Sequence, residues 1–252
     1  MSVRPRKALG QHFLVDENIL RVIERLAALS PEDVVLEVGP GLGVLTRFLA
    51  DRVALVHAVE IDRRLESELN GIPRTELHWG DVLRLDLASF QPPPVKLVAN
   101  LPYNVATPLV VESLGLDSLG SWCVMVQREV ADRFFARPST KAYGAVSVLV
   151  QLAAERTGFH AVSREVFRPR PNVDSALVAF GRIAPVPPSS VKRLVEAAFS
   201  HRRKTLPNAV SLSGLTSRER VVAALEAIGR APGVRAEALE PAEYVALAEA
   251  LR

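Results

Sequence analysis

The sequence predicts an α/β protein: a mostly parallel sheet whose strands alternate with helices, followed by a small all-helical C-terminal region. Strands are expected at 34–38, 54–59, 75–79, 95–99 and 122–126, most of them short apolar runs, and helical periodicity fills most of the intervals between them. Strands alternating with helices give parallel sheets with right-handed crossovers. A stiff linker, Ala184-Pro185-Val186-Pro187-Pro188-Ser189-Ser190, then interrupts the pattern, and the chain beyond it reads as helices only. These observations divide the chain into a domain over 1–187 and a second over 188–252.

At 252 residues and 48% hydrophobic content, the chain is long enough for one sizeable core plus a small appended domain. The formal charge is only +3, but its distribution is uneven. Arg4, Arg6 and Lys7 open the chain, and Lys192, Arg193, Arg202, Arg203 and Lys204 cluster late. Clustered cations are the footprint of a phosphate backbone more than net charge is. A solvated face is the plainer alternative. The single cysteine, Cys123, excludes a disulfide framework and a Cys-rich zinc site, and points to a reducing compartment. No apolar run approaches the roughly 20 residues of a membrane span, and the basic N-terminal stretch has no signal-peptide core. A cytoplasmic protein that touches no membrane is expected.

Leu9-Gly10-Gln11-His12-Phe13-Leu14 precedes a helix over 16–28. Phe13 and Leu14 are costly to leave in water, so this segment is expected to pack across something, such as a bound ligand. The strand 34–38 ends at Gly39-Pro40-Gly41-Leu42-Gly43, and a helix over 44–51 comes next. Glycines between strand and helix permit a tight turn and a close approach of backbone to ligand. The dinucleotide fingerprint would need glycine where Val44 stands. With Glu37 two residues before the first glycine, the loop instead resembles that of S-adenosylmethionine (SAM) dependent methyltransferases, a nicotinamide site being the alternative.

Glu60 ends the second strand, twenty-one residues beyond Gly39. A carboxylate there can accept from both hydroxyls of a ribose. Opening the next helix is its structural alternative, although Asp62 already serves that need. Asp81 comes after the third strand, placed to accept from an adenine amine while Val82 caps the ring, or else to form a plain turn.

The fourth strand runs into Asn100-Leu101-Pro102-Tyr103-Asn104, at the carboxyl end where open α/β sheets bind ligands. An amide, a proline that stiffens the turn and an aromatic ring make a polar and stacking platform for a flat heterocycle with an exocyclic amine. Asn-x-Pro is also an ordinary turn opener. A helix from about 107, the strand 122–126 and helices over 128–134 and 143–154 come after it. Arg128 and Arg133 either hold substrate phosphates or pair with Glu129 and Asp132. In the loop 166–175 two alternate prolines hold the backbone extended, Phe167 offers a second ring, and Arg168 and Arg170 stand beside it. A strand over 176–180 closes this part. The last region carries helices over 190–200, 217–228 and 241–251, with the patch His201-Arg202-Arg203-Lys204 suited to sequence-independent contacts with nucleic acid.

Read jointly, Leu9 to Leu14, Glu37 to Gly43, Glu60, Gly80-Asp81, Asn100 to Asn104, Phe167-x-Pro169-x-Pro171-x-Val173-Asp174-Ser175 and Arg202-Arg203-Lys204-Thr205-Leu206 closely resemble the ribosomal RNA adenine N6,N6-dimethyltransferase family, in order and nearly end to end. The resemblance implies a Rossmann-like SAM-dependent methyltransferase domain with a small all-helical C-terminal domain that binds RNA. It implies transfer of two methyl groups from SAM to the amino nitrogen of each of two adjacent adenosines near the 3′ end of small-subunit rRNA, in ribosome biogenesis. The partner would be small-subunit rRNA or a small ribosomal subunit precursor.

By motif position, SAM would be held by His12, Leu14, Gly39, Gly41, Glu60, Ile61, Asp81, Val82 and Asn100, with His12 standing where the family often has Asn. Asn100 and the Leu101 carbonyl would accept from the amine, Pro102 would fix the turn, and Tyr103 and Phe167 would stack on the base. Arg168, Arg170, Arg202, Arg203 and Lys204 would contact RNA. A monomer that needs no metal is expected. The related large-subunit rRNA adenine methyltransferases of macrolide resistance share the Gln-x-Phe-Leu and Asn-x-Pro-Tyr elements and are the nearest alternative. A noncatalytic RNA-binding assembly factor on the same fold is another.

Overall fold

The computed structural model describes residues 5–6 and 10–252. Arg4, Lys7 and Leu9 lie outside the described residues. The chain forms two compact units, one of Met1–Ala131 with Glu155–Arg182, the other of Asp132–Ala154 with Ile183–Arg252.

The first unit contains β1 (Phe13–Leu14), α1 (Glu17–Ala27), β2 (Val34–Val38), α2 (Val44–Ala50), β3 (Leu55–Glu60), α3 (Glu66–Leu69), β4 (Thr75–Trp79), β5 (Lys96–Asn100), α4 (Ala106–Ser113), β6 (Ser121–Gln127), the start of α5 (Arg128–Phe134), β7 (Ala154–Val162), β8 (Phe167–Arg168) and β9 (Ser175–Arg182). The main sheet has the order β4-β3-β2-β5-β6-β9-β7. Its five strands from β4 to β6 are parallel, and β9 runs antiparallel to β6 with Met125 opposite Leu177. Every residue of β2 is buried, Glu37 included, as expected of a parallel strand covered on both faces. On α1, Ile19, Leu20, Ile23 and Ala27 form the buried stripe, and the Asp16 side chain caps the helix by accepting from the Asn18 amide.

After β2 the chain builds outward through β3 and β4, then returns to add β5 and β6 on the other side. The connections therefore leave the carboxyl ends of β2 and β5 in opposite directions. Such a reversal opens a crevice between two adjacent strands, and here Gly39 and Asn100 stand on its two sides.

The second unit is built from α6 (Ala145–Ala153), α7 (Ser189–Phe199), α8 (Leu206–Leu212), α9 (Arg218–Ala227) and α10 (Pro241–Ala250). Tyr143 and Tyr244 are fully buried in it. Each satisfies its hydroxyl by donating to a backbone carbonyl, Tyr143 to Leu239 at 2.8 Å and Tyr244 to Ala236 at 2.7 Å. Among the described residues no helix is long and apolar enough to cross a membrane.

Several boundaries differ from the sequence reading. The division expected at 187/188 falls at 182/183, and the helical unit also takes in 132–154, because α6 packs on α7 and α10. The helix expected over 143–154 stops at Ala153 and passes directly into β7, a strand the periodicity does not show. The helix α8, beside the basic patch, has no counterpart in the sequence reading either.

Candidate active site

The loop after β2 depends on backbone that only glycine adopts readily. Gly39 and Gly41 have φ of +74° and +59°. A Cβ on Gly39 would lie 3.0 Å from Pro102 Cγ, and one on Gly41 would lie 2.8 Å from the Phe13 ring. The glycine loop, the N-terminal segment and the Asn100 turn are thus packed against one another with no room for a side chain.

Glu60, at the end of β3, is 5% exposed. One carboxylate oxygen accepts from the amides of Ile61 and Asp62, both at 2.9 Å, and the other from Gly41 at 3.2 Å. Burial pushes its carboxyl up, and the three amides oppose that shift. Beside it Asp62 is held near about 2, chiefly by the Arg64 guanidinium, and receives the Gln11 amide at 3.1 Å. Glu37 on β2 is 1% exposed, and its Oε2 has no hydrogen-bond partner among the described residues. Burial above all, with the neighbouring charge of Glu60, pushes the Glu37 carboxyl up to about 8.

The Asn100 turn is anchored from two directions. Asn100 donates through Nδ2 to the His12 carbonyl at 3.1 Å, which leaves Oδ1 as the acceptor of that amide. The Leu101 amide donates to Met125 at 3.0 Å and ties the turn to β6. The Tyr103 hydroxyl and Ser175 Oγ share a hydrogen bond of 2.8 Å. The His12 ring lies 5.5 Å from the Tyr103 ring, and its Nδ1 donates to the Pro169 carbonyl at 2.8 Å. Above these groups β1 pairs antiparallel with β8, Leu14 opposite Phe167 and Phe13 opposite Arg168.

His12, Leu14, Gly39, Gly41, Glu60, Ile61, Asn100, Leu101, Pro102 and Tyr103 line one cleft, open at its mouth. Asp81 and Val82 line an adjoining hollow, which shares Gly39, Glu60, Ile61 and Pro102 with it. One carboxylate oxygen of Asp81 accepts from the Leu83 amide at 3.1 Å, which is the turn role, and the other stands 3.6 Å from the exposed Arg84 guanidinium. The carboxyl ends of four neighbouring strands therefore supply one continuous groove.

Phe167 departs from the expectation of a second stacking ring. It is fully buried in the core cluster with Leu14 and Val162, and does not line the cleft. Burial of the whole ring outweighs the extended, surface-like character of the proline loop. Arg168 donates to the carbonyls of Glu165 and Phe167, and Arg170 pairs with Glu165 at 2.8 Å, so both are committed locally. Arg128 lies over the Phe159 ring at 4.7 Å. In the second unit Arg202, Arg203 and Lys204 are all exposed, and Arg202 also donates to the Tyr143 carbonyl at 2.9 Å and stands 3.6 Å from the Glu237 carboxylate. Sequence reasoning missed the anchoring by Ser175 and the packing of Phe13 on Gly41, contacts between segments far apart in the chain.

A Rossmann-like sheet with a glycine loop at its switch point, acidic residues at the next two strand ends and an amide turn across the crevice defines the methyltransferase class. The chain belongs to the ribosomal RNA adenine dimethylase family, whose model matches residues 3–252. A relative from Rubrobacter xylanophilus, named ribosomal RNA small subunit methyltransferase A, is 49% identical over 251 residues, covering 97% of this chain and 94% of that protein. Among solved structures, a dimethyladenosine transferase from Plasmodium falciparum matches with a TM-score of 0.76 at 25% identity, covering 94% of this chain and 96% of that one. The 23S rRNA methyltransferase ErmE matches with a TM-score of 0.62 at 30% identity, covering 95% and 99%.

Proposed function

We propose that this chain transfers methyl groups from SAM to N6 of two adjacent adenosines near the 3′ end of small-subunit rRNA, as a cytoplasmic monomer acting in ribosome biogenesis. The observation that carries the reading is the Asn100 amide, turned by the His12 carbonyl so that Oδ1 is its acceptor beside the glycine loop. The names of the family and of the relative support an adenine in small-subunit rRNA as the target.

The cleft fits the cofactor on two counts. The buried oxygen of Glu37, without a partner among the described residues, is a natural acceptor for a ligand ammonium, and the missing Cβ of Gly41 lets the Phe13 ring close over the glycine loop at the edge of the cleft. Glu60 would accept from ribose hydroxyls, Asp81 from the adenine amine, and Ile61 and Val82 would cover the ring faces. Bound SAM supplies a methyl group already activated by its sulfonium, so no metal is needed for the transfer.

The target amine is a poor nucleophile because its lone pair is delocalised into the purine. Asn100 Oδ1 and the Leu101 carbonyl accept its two hydrogens and favour a pyramidal nitrogen, so positioning supplies most of the catalysis. The Tyr103 ring, held by Ser175, offers a face to the extruded base, where stacking contributes roughly 1–3 kcal/mol. Arg203 and Lys204 would hold the RNA backbone.

The direct test is methyl transfer from labelled SAM to small and large ribosomal subunits that lack adenine dimethylation, followed by nucleoside analysis. Dimethyladenosine in small-subunit RNA alone is expected. Label confined to large-subunit RNA would replace this reading with the macrolide-resistance activity. SAM binding without transfer to either would point to an assembly factor.

A further inference from the structure

Away from the cleft, β3 and β4 bring together three side chains that the proposed reaction does not use. His57 and Glu76 are directly opposite in the parallel register, and His78 lies two residues further along β4 on the same face. His57 Nδ1 is 3.1 Å from His78 Nε2 and 3.5 Å from a Glu76 carboxylate oxygen, and one ligand atom from each residue lies within 4.8 Å of the others. Zinc–nitrogen bonds of 2.0–2.1 Å in a tetrahedron place ligand atoms about 3.3 Å apart. The two separations from His57 Nδ1 are already near that spacing, and the exposed Glu76 side chain can close the third.

Their surroundings orient them as ligands. The buried His57 uses Nε2 to donate to the Pro92 carbonyl at 2.8 Å, which fixes the tautomer that presents the Nδ1 lone pair to the cluster. The His78 ring stacks on Phe90 with centroids 3.9 Å apart and planes 12° from parallel, so its aim is fixed too. The Glu76 side chain is 53% exposed, which gives an ion a way in and leaves a coordination position for water.

We infer that His57, Glu76 and His78 form a binding site for a divalent transition ion of the zinc class. Two imidazole nitrogens and one carboxylate oxygen suit such an ion and not magnesium or calcium, which take oxygen ligands. Without metal, His78 Nε2–H donates to His57 Nδ1. On binding, the metal takes both lone pairs and His78 carries its proton on Nδ1. The site clips β3 to β4 three residues before Glu60 and Asp81, so an ion there would steady the strand ends that form the nucleoside groove.

Metal-free protein titrated with zinc sulfate in a calorimeter, and with cobalt(II) by visible absorption, tests this. The wild-type chain is expected to saturate at one ion per chain, to give the intense absorption of four-coordinate cobalt, and to melt at a higher temperature with zinc. Glu76→Gln, on an exposed side chain, should keep its fold and bind at least about tenfold more weakly. His78→Ala should lose binding, and His160→Ala should match the wild type. No saturable binding by the wild-type chain, or wild-type affinity in His78→Ala, would overturn the inference. None of these readouts depends on methyl transfer.

Discussion

The Asn100 side chain donates to the His12 carbonyl at 3.1 Å across 88 residues of sequence, so the N-terminal segment sets which end of the amide faces the reaction. The oxygen is thereby reserved for the substrate amine. Asn100→Ala removes this acceptor and leaves the glycine loop and Glu60 in place. Turnover is expected to fall by about 10²–10³-fold, the usual effect of deleting one transition-state hydrogen bond, with SAM affinity within a few-fold of wild type. Single-turnover transfer and equilibrium SAM titration separate the two effects, and an equal loss of both would refute the assignment.

Ser175 holds Tyr103 through a hydrogen bond of 2.8 Å, and its loss should be felt in substrate handling. Ser175→Ala and Tyr103→Phe each delete the same bond, worth about 1 kcal/mol. Each should lower kcat/KM for RNA roughly fivefold, and the double variant should be no worse than either single one. Additive losses would mean that the two groups act separately.

The sheet and the groove were legible because their signals are local. The buried runs of β2 and β5, the glycines at positive φ and the carboxylates at strand ends each announce themselves within a few residues. What was missed depends on partners distant in sequence. Two-residue β1 and β8 exist only through pairing of Leu14 with Phe167, which also draws the Phe167 ring into the core. Strand β7 carries Glu155, Arg156, Thr157 and Gly158 in succession and shows no apolar alternation. His57 and His78 read as ordinary strand residues until the register of β3 and β4 is known.

Gly41→Ala should separate local strain from loss of ligand binding. Gly71 is the matched control, since its φ is +79° but nothing stands within 4 Å of a new Cβ. Both substitutions are expected to lower stability by about 1–2 kcal/mol from the left-handed backbone. Only Gly41→Ala must also displace Phe13, so only it should melt lower still and lose SAM affinity. Equal SAM binding by the two variants would argue against close packing of this loop on the ligand.

Within the basic patch the structure assigns different work to neighbouring cations. Arg202, Arg203 and Lys204 are all exposed, but Arg202 is also bonded to the Tyr143 carbonyl and lies near Glu237. Arg203→Ala and Lys204→Ala should each weaken RNA binding without lowering Tm, and each should reduce the slope of log K against log salt by about 1. Arg202→Ala should lower Tm as well. Unchanged salt slopes would remove the patch from the RNA interface.

Glu37 gives stability a pH dependence of definite sign. Its carboxyl sits at about 8 in the folded chain against an ordinary value of 4.5, because burial disfavours the anion. Between those values the folded state binds more protons than the unfolded one, so the free energy of unfolding falls as pH rises, by at most about 1.4 kcal/mol per pH unit for this group. Burial shifts Glu60 in the same direction and adds to the slope. Asp62, held at about 2 against 3.8, acts in the opposite sense, its contribution being lost only as pH falls below about 4. Urea midpoints at pH 5, 6.5 and 8 should therefore decline for the wild-type chain. In Glu37→Gln, which keeps the shape and removes the titration, the decline should be shallower, with the remainder left by Glu60. Identical slopes in the two proteins would mean that Glu37 does not hold its proton in the fold.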